Sequence, residues 1–295
     1  MIYTVTVNPS LDYAMEVNDL TPGRTNRSTR EQIGFGGKGI NVSAILNELG
    51  TPSIAFGFVA GFTGEALERA VSRAGVKCEF IRLREGMTRI NVKLKGSTET
   101  EINASGPVIH PEALNVFFAK LDRIGEGDTL VLAGSIPPSL PRDLYCQILA
   151  RLNGRGIRFV VDATGELLLS TLAYRPFLIK PNLHELEELV GHTLSDDHSI
   201  ADGARTLQVK GARNVLVSLG GDGAILLDEF GMIHRAHAVG GPAVNTVGAG
   251  DSMVAGFLVG CTVDYSHALR MGIAAGGATA QSMGLATKEE ILALL

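Results

Sequence analysis

Along these 295 residues, a short β-branched or apolar run is followed by a stretch of helical character, and the pair repeats many times. Residues 53–59 precede a helix from about Thr63, 129–133 precede 141–152, and 158–161 precede 166–172. Further on, 177–180 feed 183–190, and 214–219 end in the turn Gly220-Gly221-Asp222-Gly223. Such alternation predicts parallel strands covered by helices on both faces, because strands buried on two sides read as continuous apolar runs. The expected fold is α/β, a doubly wound three-layer α/β/α domain with a mainly parallel sheet. Two regions break the rhythm, 13–33 and 88–102. In the second, Arg89-Ile90-Asn91-Val92-Lys93-Leu94-Lys95 alternates as a half-exposed antiparallel strand does, so a small sheet projecting from the main domain is expected. It would cover a substrate cleft or pair with a second subunit.

With 45% hydrophobic residues and no linker or low-complexity tract, the chain buries one large core. A net charge of -5 without a Lys/Arg run argues against nucleic acid as a partner. Cys78, Cys146 and Cys261 lack the paired spacing of a zinc or redox site and are expected to be free thiols. The opening segment has no signal-peptide character, and no apolar run reaches membrane-spanning length, so a cytoplasmic location without membrane contact is expected. Glycine is abundant, at 36 residues, and Trp is absent, which favours close backbone approaches over aromatic stacking.

The strongest local signal is Asn245-Thr246-Val247-Gly248-Ala249-Gly250-Asp251-Ser252 before a small, apolar helix. Gly248 and Gly250 permit a tight turn in which first-turn N–H groups converge on an anion, and Asp251 faces the same point as a possible base. Locally, Asp251 reads equally well as a helix-capping acid. A second segment, Gly34-Phe35-Gly36-Gly37-Lys38-Gly39-Ile40-Asn41, opens what reads as an amphipathic helix to Leu49. It satisfies G-x-G-x-x-G, but the segment before it is polar and no acid ends the next strand, so a dinucleotide site is rejected. It also lacks the first glycine and the Ser/Thr of a Walker loop, and it remains a loop of exposed backbone with one cation. At the end of a predicted strand stand Lys180-Pro181-Asn182 and Glu185, which read either as a capping box or as groups facing a magnesium–water cluster. Ser218, Gly220 and Gly223 read either as a phosphate-approach loop or as a hairpin turn.

Together these segments resemble the ribokinase-like carbohydrate kinases, and within them the phosphofructokinase B branch. The matching pieces are Asn8-Pro9-Ser10-Leu11-Asp12, Gly36 to Asn41, Thr88-Arg89, Gly134-Ser135-Ile136-Pro137, Lys180 to Asn182 with Glu185, Ser218 to Gly220, and Thr246 to Asp251. They occur in the family's order and span nearly the whole chain. The resemblance implies an ATP- and Mg²⁺-dependent sugar-phosphate kinase, most similar to 1-phosphofructokinases. Tagatose-6-phosphate kinase is the alternative, and a non-catalytic sugar-phosphate sensor a further one. It implies Asp251 as base, with the amides of Gly248, Ala249 and Gly250 stabilising the moving phosphoryl group. Asp12, Gly37 and Asn41 would bind sugar hydroxyls, and Lys38 and Arg89 the phosphate already on the substrate, with Ser105 and Ser135 nearby. Lys180, Asn182, Ser218, Gly220, Gly223 and Thr246 would bind ATP, and Glu185 would organise Mg²⁺ through water. Asn245 departs from the Ser common at that position. A small β lid, formed by about 12–34 and 87–105, and a homodimer joined through it are further implications.

Overall fold

The computed structural model describes residues 1–18, 20–96 and 99–295. A large sheet runs, in spatial order, Ile233–Ala236, Ala224–Leu227, Asn214–Ser218, Leu178–Ile179, Arg158–Asp162, Thr129–Ala133, Ile2–Thr6, Ser53–Ala60 and Lys77–Cys78, with Ile81–Leu83 also on Ser53–Ala60. From Asn214–Ser218 to Lys77–Cys78 every pairing is parallel; the hairpin through Ala224–Leu227 to Ile233–Ala236 adds an antiparallel edge.

The central parallel strands are largely apolar because side chains on their two faces enter different cores. In Thr129–Ala133, Leu130 and Leu132 join one core with Phe117 and Leu144, while Val131 and Ala133 join another with Val254 and Phe257. Truncating a side chain such as the fully buried Phe117 would cost about 3–5 kcal/mol. The second core is closed by Lys38–Glu48, Ala249–Gly260 and Tyr265–Gln281. The helix Lys38–Glu48 is not amphipathic as expected: Gly39 through Leu46 are all buried, since it lies inside the molecule with Ile40 and Ala44 in a third core. Ala249–Gly260 and Tyr265–Gln281 touch at glycines; a Cβ on Gly256 would sit 2.4 Å from the Met271 carbonyl oxygen.

A separate four-stranded sheet runs Arg30–Gly36, Ser10–Glu16, Arg89–Lys95, Thr100–Ile102. Arg89–Lys95 pairs antiparallel with Thr100–Ile102 but parallel with Ser10–Glu16. Ser10–Glu16 begins three residues before the break in rhythm at Tyr13, and its Ser10 and Asp12 line a cleft. Cys78, Cys146 and Cys261 are free thiols. No helix among the described residues is long and apolar enough to cross a membrane.

Candidate active site

The C-terminal ends of the parallel strands, the small sheet and two helix starts enclose a cleft of about 1020 Å³. Open α/β sheets bind ligands at this end because loops and helix N-termini converge there.

One wall is the small sheet. Residues two apart on a strand share a face, so Arg89, Asn91 and Lys93 all line the cleft beside Ser10 and Asp12. The Asp12 carboxylate accepts from Ser10 Oγ at 2.7 Å and Asn91 Nδ2 at 3.1 Å, and pairs with Lys93 Nζ at 3.2 Å. Arg89 Nε donates to the Asn8 carbonyl at 3.1 Å. Burial lowers the affinity of the Arg89 guanidinium for its proton, partly offset by Asp12. Gly36 is dictated by this arrangement, since a Cβ there would lie 2.5 Å from Asp12 Oδ1. Gly37, at φ 129°, then caps the helix carrying Lys38 and Asn41.

The floor holds the charges. Asp162, at the end of Arg158–Asp162, is buried, with Lys38 Nζ at 2.9 Å and Lys180 Nζ at 3.7 Å from the same oxygen. Burial acts to raise the Asp162 carboxyl, but Lys180 and Lys38 outweigh it and hold it below the ordinary carboxylate range. Burial likewise opposes the charge on Lys38, yet Asp162 and Asp251 raise its pKa overall.

Gly248, at φ 82°, turns the chain into Ala249–Gly260 without a side-chain cap. Ser252 Oγ donates to the Gly248 carbonyl at 2.9 Å and sits 2.8 Å from Thr279 Oγ1, which fixes the turn. Asp251 stands in the first helical turn, 6% exposed, and accepts from Asn41 Nδ2 at 2.8 Å. Burial, reinforced by Asp162, pushes its carboxyl up to about 7, against the pull of Lys38, Asn41 and Lys180. A Cβ on Gly250 would lie 3.0 Å from Lys180 Nζ, so that ammonium rests against the helix start. A carboxyl poised near neutrality, two cations and first-turn amides thus share one recess. Such a set has the chemistry to accept a proton from a hydroxyl and to receive an anionic group.

Of the residues singled out from sequence, Asp12, Gly37, Lys38, Asn41, Arg89, Ser135, Lys180, Gly248, Gly250 and Asp251 line the cleft. Ala249 does not, and its N–H donates to the Thr246 carbonyl at 3.2 Å. Ser105 does not line the cleft either; it is exposed, and its carbonyl accepts from Asn8 Nδ2 at 2.9 Å. Thr246, Asn182, Glu185, Ser218, Gly220 and Gly223 are also outside the lining. Asn182 and Glu185 form a full capping box, with both hydrogen bonds at 2.8 Å. The Ser218 N–H donates to the Pro181 carbonyl at 3.1 Å, which brings that strand end beside Asn182. Gly220–Asp222 is the turn of a hairpin, and Gly223 is held against the Ala236 carbonyl, 2.2 Å from where a Cβ would stand. Asn245 ties its turn to Met283, donating from Nδ2 at 3.2 Å while its Oδ1 accepts from the Val247 N–H at 3.2 Å.

Sequence reading overlooked Asp162, Asn91, Lys93 and Ser10. Asp162 was the most findable: an acid directly after an apolar strand, at the end where such sheets bind ligands. Among the described residues, no three His, Cys, Asp or Glu side chains cluster as a metal cage. Mg²⁺ in general keeps several waters and phosphate ligands, so a dedicated protein cage is not something its binding requires.

Comparison with known proteins gives concordant matches. The model of the pfkB family carbohydrate kinases matches residues 5–292. The 1-phosphofructokinase of Bacillus subtilis is 44% identical over 100% of this chain and 97% of its own length. The D-tagatose-1-phosphate kinase of Bacillus licheniformis is 36% identical over 97% of this chain and 94% of its own. Among solved structures, phosphofructokinase-2 of Escherichia coli, in complex with substrates and products, superposes with a TM-score of 0.93 at 28% identity, covering 99% of this chain and 97% of that one.

Proposed function

This chain belongs to the pfkB family of carbohydrate kinases, and on that footing we propose that it transfers the γ-phosphoryl group of ATP to the 6-hydroxyl of D-fructose 1-phosphate. The products are fructose 1,6-bisphosphate and ADP. The observation that carries the reading is Asp251: a buried carboxyl raised to about 7, hydrogen-bonded to Asn41, at a helix start flanked by Lys38 and Lys180.

Asp251 takes the proton of the attacking hydroxyl, and the amides of Gly248 and Gly250 face the phosphoryl group as charge develops, so positioning and fixed dipoles supply the rate. Ala249 contributes through the same helix start. Asp12, Gly37 and Asn41 hold sugar hydroxyls, and Arg89 with Ser135 meets the phosphate already present. ATP lies towards Lys180, Asn182, Ser218, Gly220, Gly223 and Thr246. Glu185 would help hold Mg²⁺ through water, and the ion would supply neutralisation of phosphate charge. The small sheet, about 12–34 and 87–105, acts as a lid on a single kinase domain. Its other face carries Ile33, Tyr13, Val92 and Ile102 in one row, with Ile33 67% and Ile102 57% exposed. A second copy of the chain covers that row in a homodimer. Free thiols throughout fit a reducing cytoplasm.

Both relatives carry names that put the resident phosphate on carbon 1, which favours fructose 1-phosphate over tagatose 6-phosphate. The test is ADP release with Mg-ATP and, in parallel, fructose 1-phosphate, tagatose 1-phosphate, fructose 6-phosphate and tagatose 6-phosphate. The highest kcat/KM is expected for fructose 1-phosphate. A preference for either 6-phosphate would overturn the substrate assignment, and no turnover with any would make the chain a sensor.

A further inference from the structure

We propose that Asp162 is a positioning residue that turns Lys38 and Lys180 onto the phosphoryl group in transit, so that Lys38 serves the transferring phosphate rather than the one the substrate already carries. This rests on the kinase reading above. Both ammonium groups converge on a single oxygen of Asp162, at 2.9 and 3.7 Å. The other oxygen, Oδ2, is buried and has no hydrogen-bond partner among the described residues. A carboxylate buried only to stabilise the fold would have both oxygens satisfied, because an empty buried acceptor is costly. A partly satisfied carboxylate that holds two lysines at the mouth of a helix start fits a site kept ready for an anion.

The lysines point the same way. Lys180 Nζ lies against Gly250, and Lys38 is influenced by Asp251 as well as Asp162. Arg89 instead donates to the carbonyls of Asn8 and Ala104 on the small-sheet side. The charged groups facing Asp251 are Asp162 from its strand, Lys38 from the helix after the glycine loop, and Lys180 from the next strand end. Two lysines drawn together by one acid beside the base form a cationic pair suited to the equatorial oxygens of a moving phosphoryl group.

Lys38→Met and Asp162→Asn test this in the full chain with Mg-ATP and whichever sugar phosphate the wild type turns over best. Lys38→Met should lower kcat by roughly a hundredfold and leave KM for the sugar phosphate within about twofold. Asp162→Asn should lower kcat by about tenfold and move the acid limb of kcat to lower pH, since Asp251 loses an anionic neighbour and keeps two cations. A merely structural Asp162 would lower the melting temperature and leave that limb in place, which would overturn the proposal. So would a Lys38→Met enzyme with normal kcat and a raised KM. If Asp162→Asn does not fold, the split between kcat and KM in Lys38→Met decides alone. Absence of wild-type turnover with every sugar phosphate would sink the kinase reading and this one with it, whereas normal wild-type turnover beside an unimpaired Lys38→Met kcat would sink this one only.

Discussion

Replacing Asp251 with Asn should abolish turnover and at the same time make the protein more stable, by an amount that grows with pH. The folded carboxyl titrates near 7 against an ordinary value of 3.8, chiefly because burial disfavours its charge. Between those values the native state holds a proton that the unfolded chain has released, so stability falls as pH rises through the window. Above about 7 the whole penalty is present. At about 1.4 kcal/mol per tenfold, it amounts to about 4 kcal/mol at about pH 8.5 and about 2 kcal/mol at about pH 5.5. Asparagine has the same shape and keeps an acceptor for Asn41 Nδ2, 2.8 Å away, but carries no charge to desolvate. Paired urea unfolding curves for wild type and Asp251→Asn, followed by circular dichroism at both pH values, give the difference directly. Asp251→Asn should gain about 2 kcal/mol more at the higher pH than at the lower. A gain that is absent, or equal at the two values, would refute the claim that the site keeps its base by desolvating it.

The same carboxyl should govern the rate. Because the base works only when ionised, kcat should rise with pH through about 7, and a profile flat from the acid side to pH 7 would contradict the assignment. Asn41 stabilises the ionised form through its hydrogen bond, so Asn41→Ala should shift the acid limb upwards, opposite to Asp162→Asn, and lower kcat at neutral pH by about tenfold; a pH–rate series on both variants checks the opposed signs. Gly36→Ala would bring a methyl group 2.4 Å from Ser10 Oγ and 2.5 Å from Asp12 Oδ1. It should raise KM for the sugar phosphate by about tenfold through displacement of Asp12, while the melting temperature, read by differential scanning fluorimetry, moves little.

How far the sequence discloses this site depends on how local each cause is. The parallel sheet is legible because burial on both faces writes itself into contiguous residues, as in Thr129–Ala133 and Ser53–Ala60, every one of them buried. The capping box of Asn182 and Glu185 is legible because four consecutive residues contain the whole motif. Gly248, three residues before Asp251, is legible because φ 82° demands a glycine there. The parallel pairing of Ser10–Glu16 with Arg89–Lys95 is not, since alternation reports which residues share a face and is silent about strand direction. Nor is the burial of Lys38–Glu48, whose partners lie on a helix more than two hundred positions later.

Asp251 shows where the limit falls. Its own segment describes an acid at a helix start, and the same letters would serve a solvent-facing cap. What fits it for the proposed role of base is the recess around it: Asn41, 210 positions earlier, orients one oxygen, while Asp162 holds Lys38 from 124 positions earlier and Lys180 from the next strand. Each of those residues, read alone, is an ordinary polar side chain at the end of an element. Burial raises the Asp251 carboxyl and the two lysines restrain the rise, so its reactivity is a balance between groups that meet only in the fold. Changing any one of them should move the titration of Asp251 without altering the sequence around it, and the direction of each movement, down for loss of Asp162 and up for loss of Asn41, is set by the sign of the charge or dipole removed.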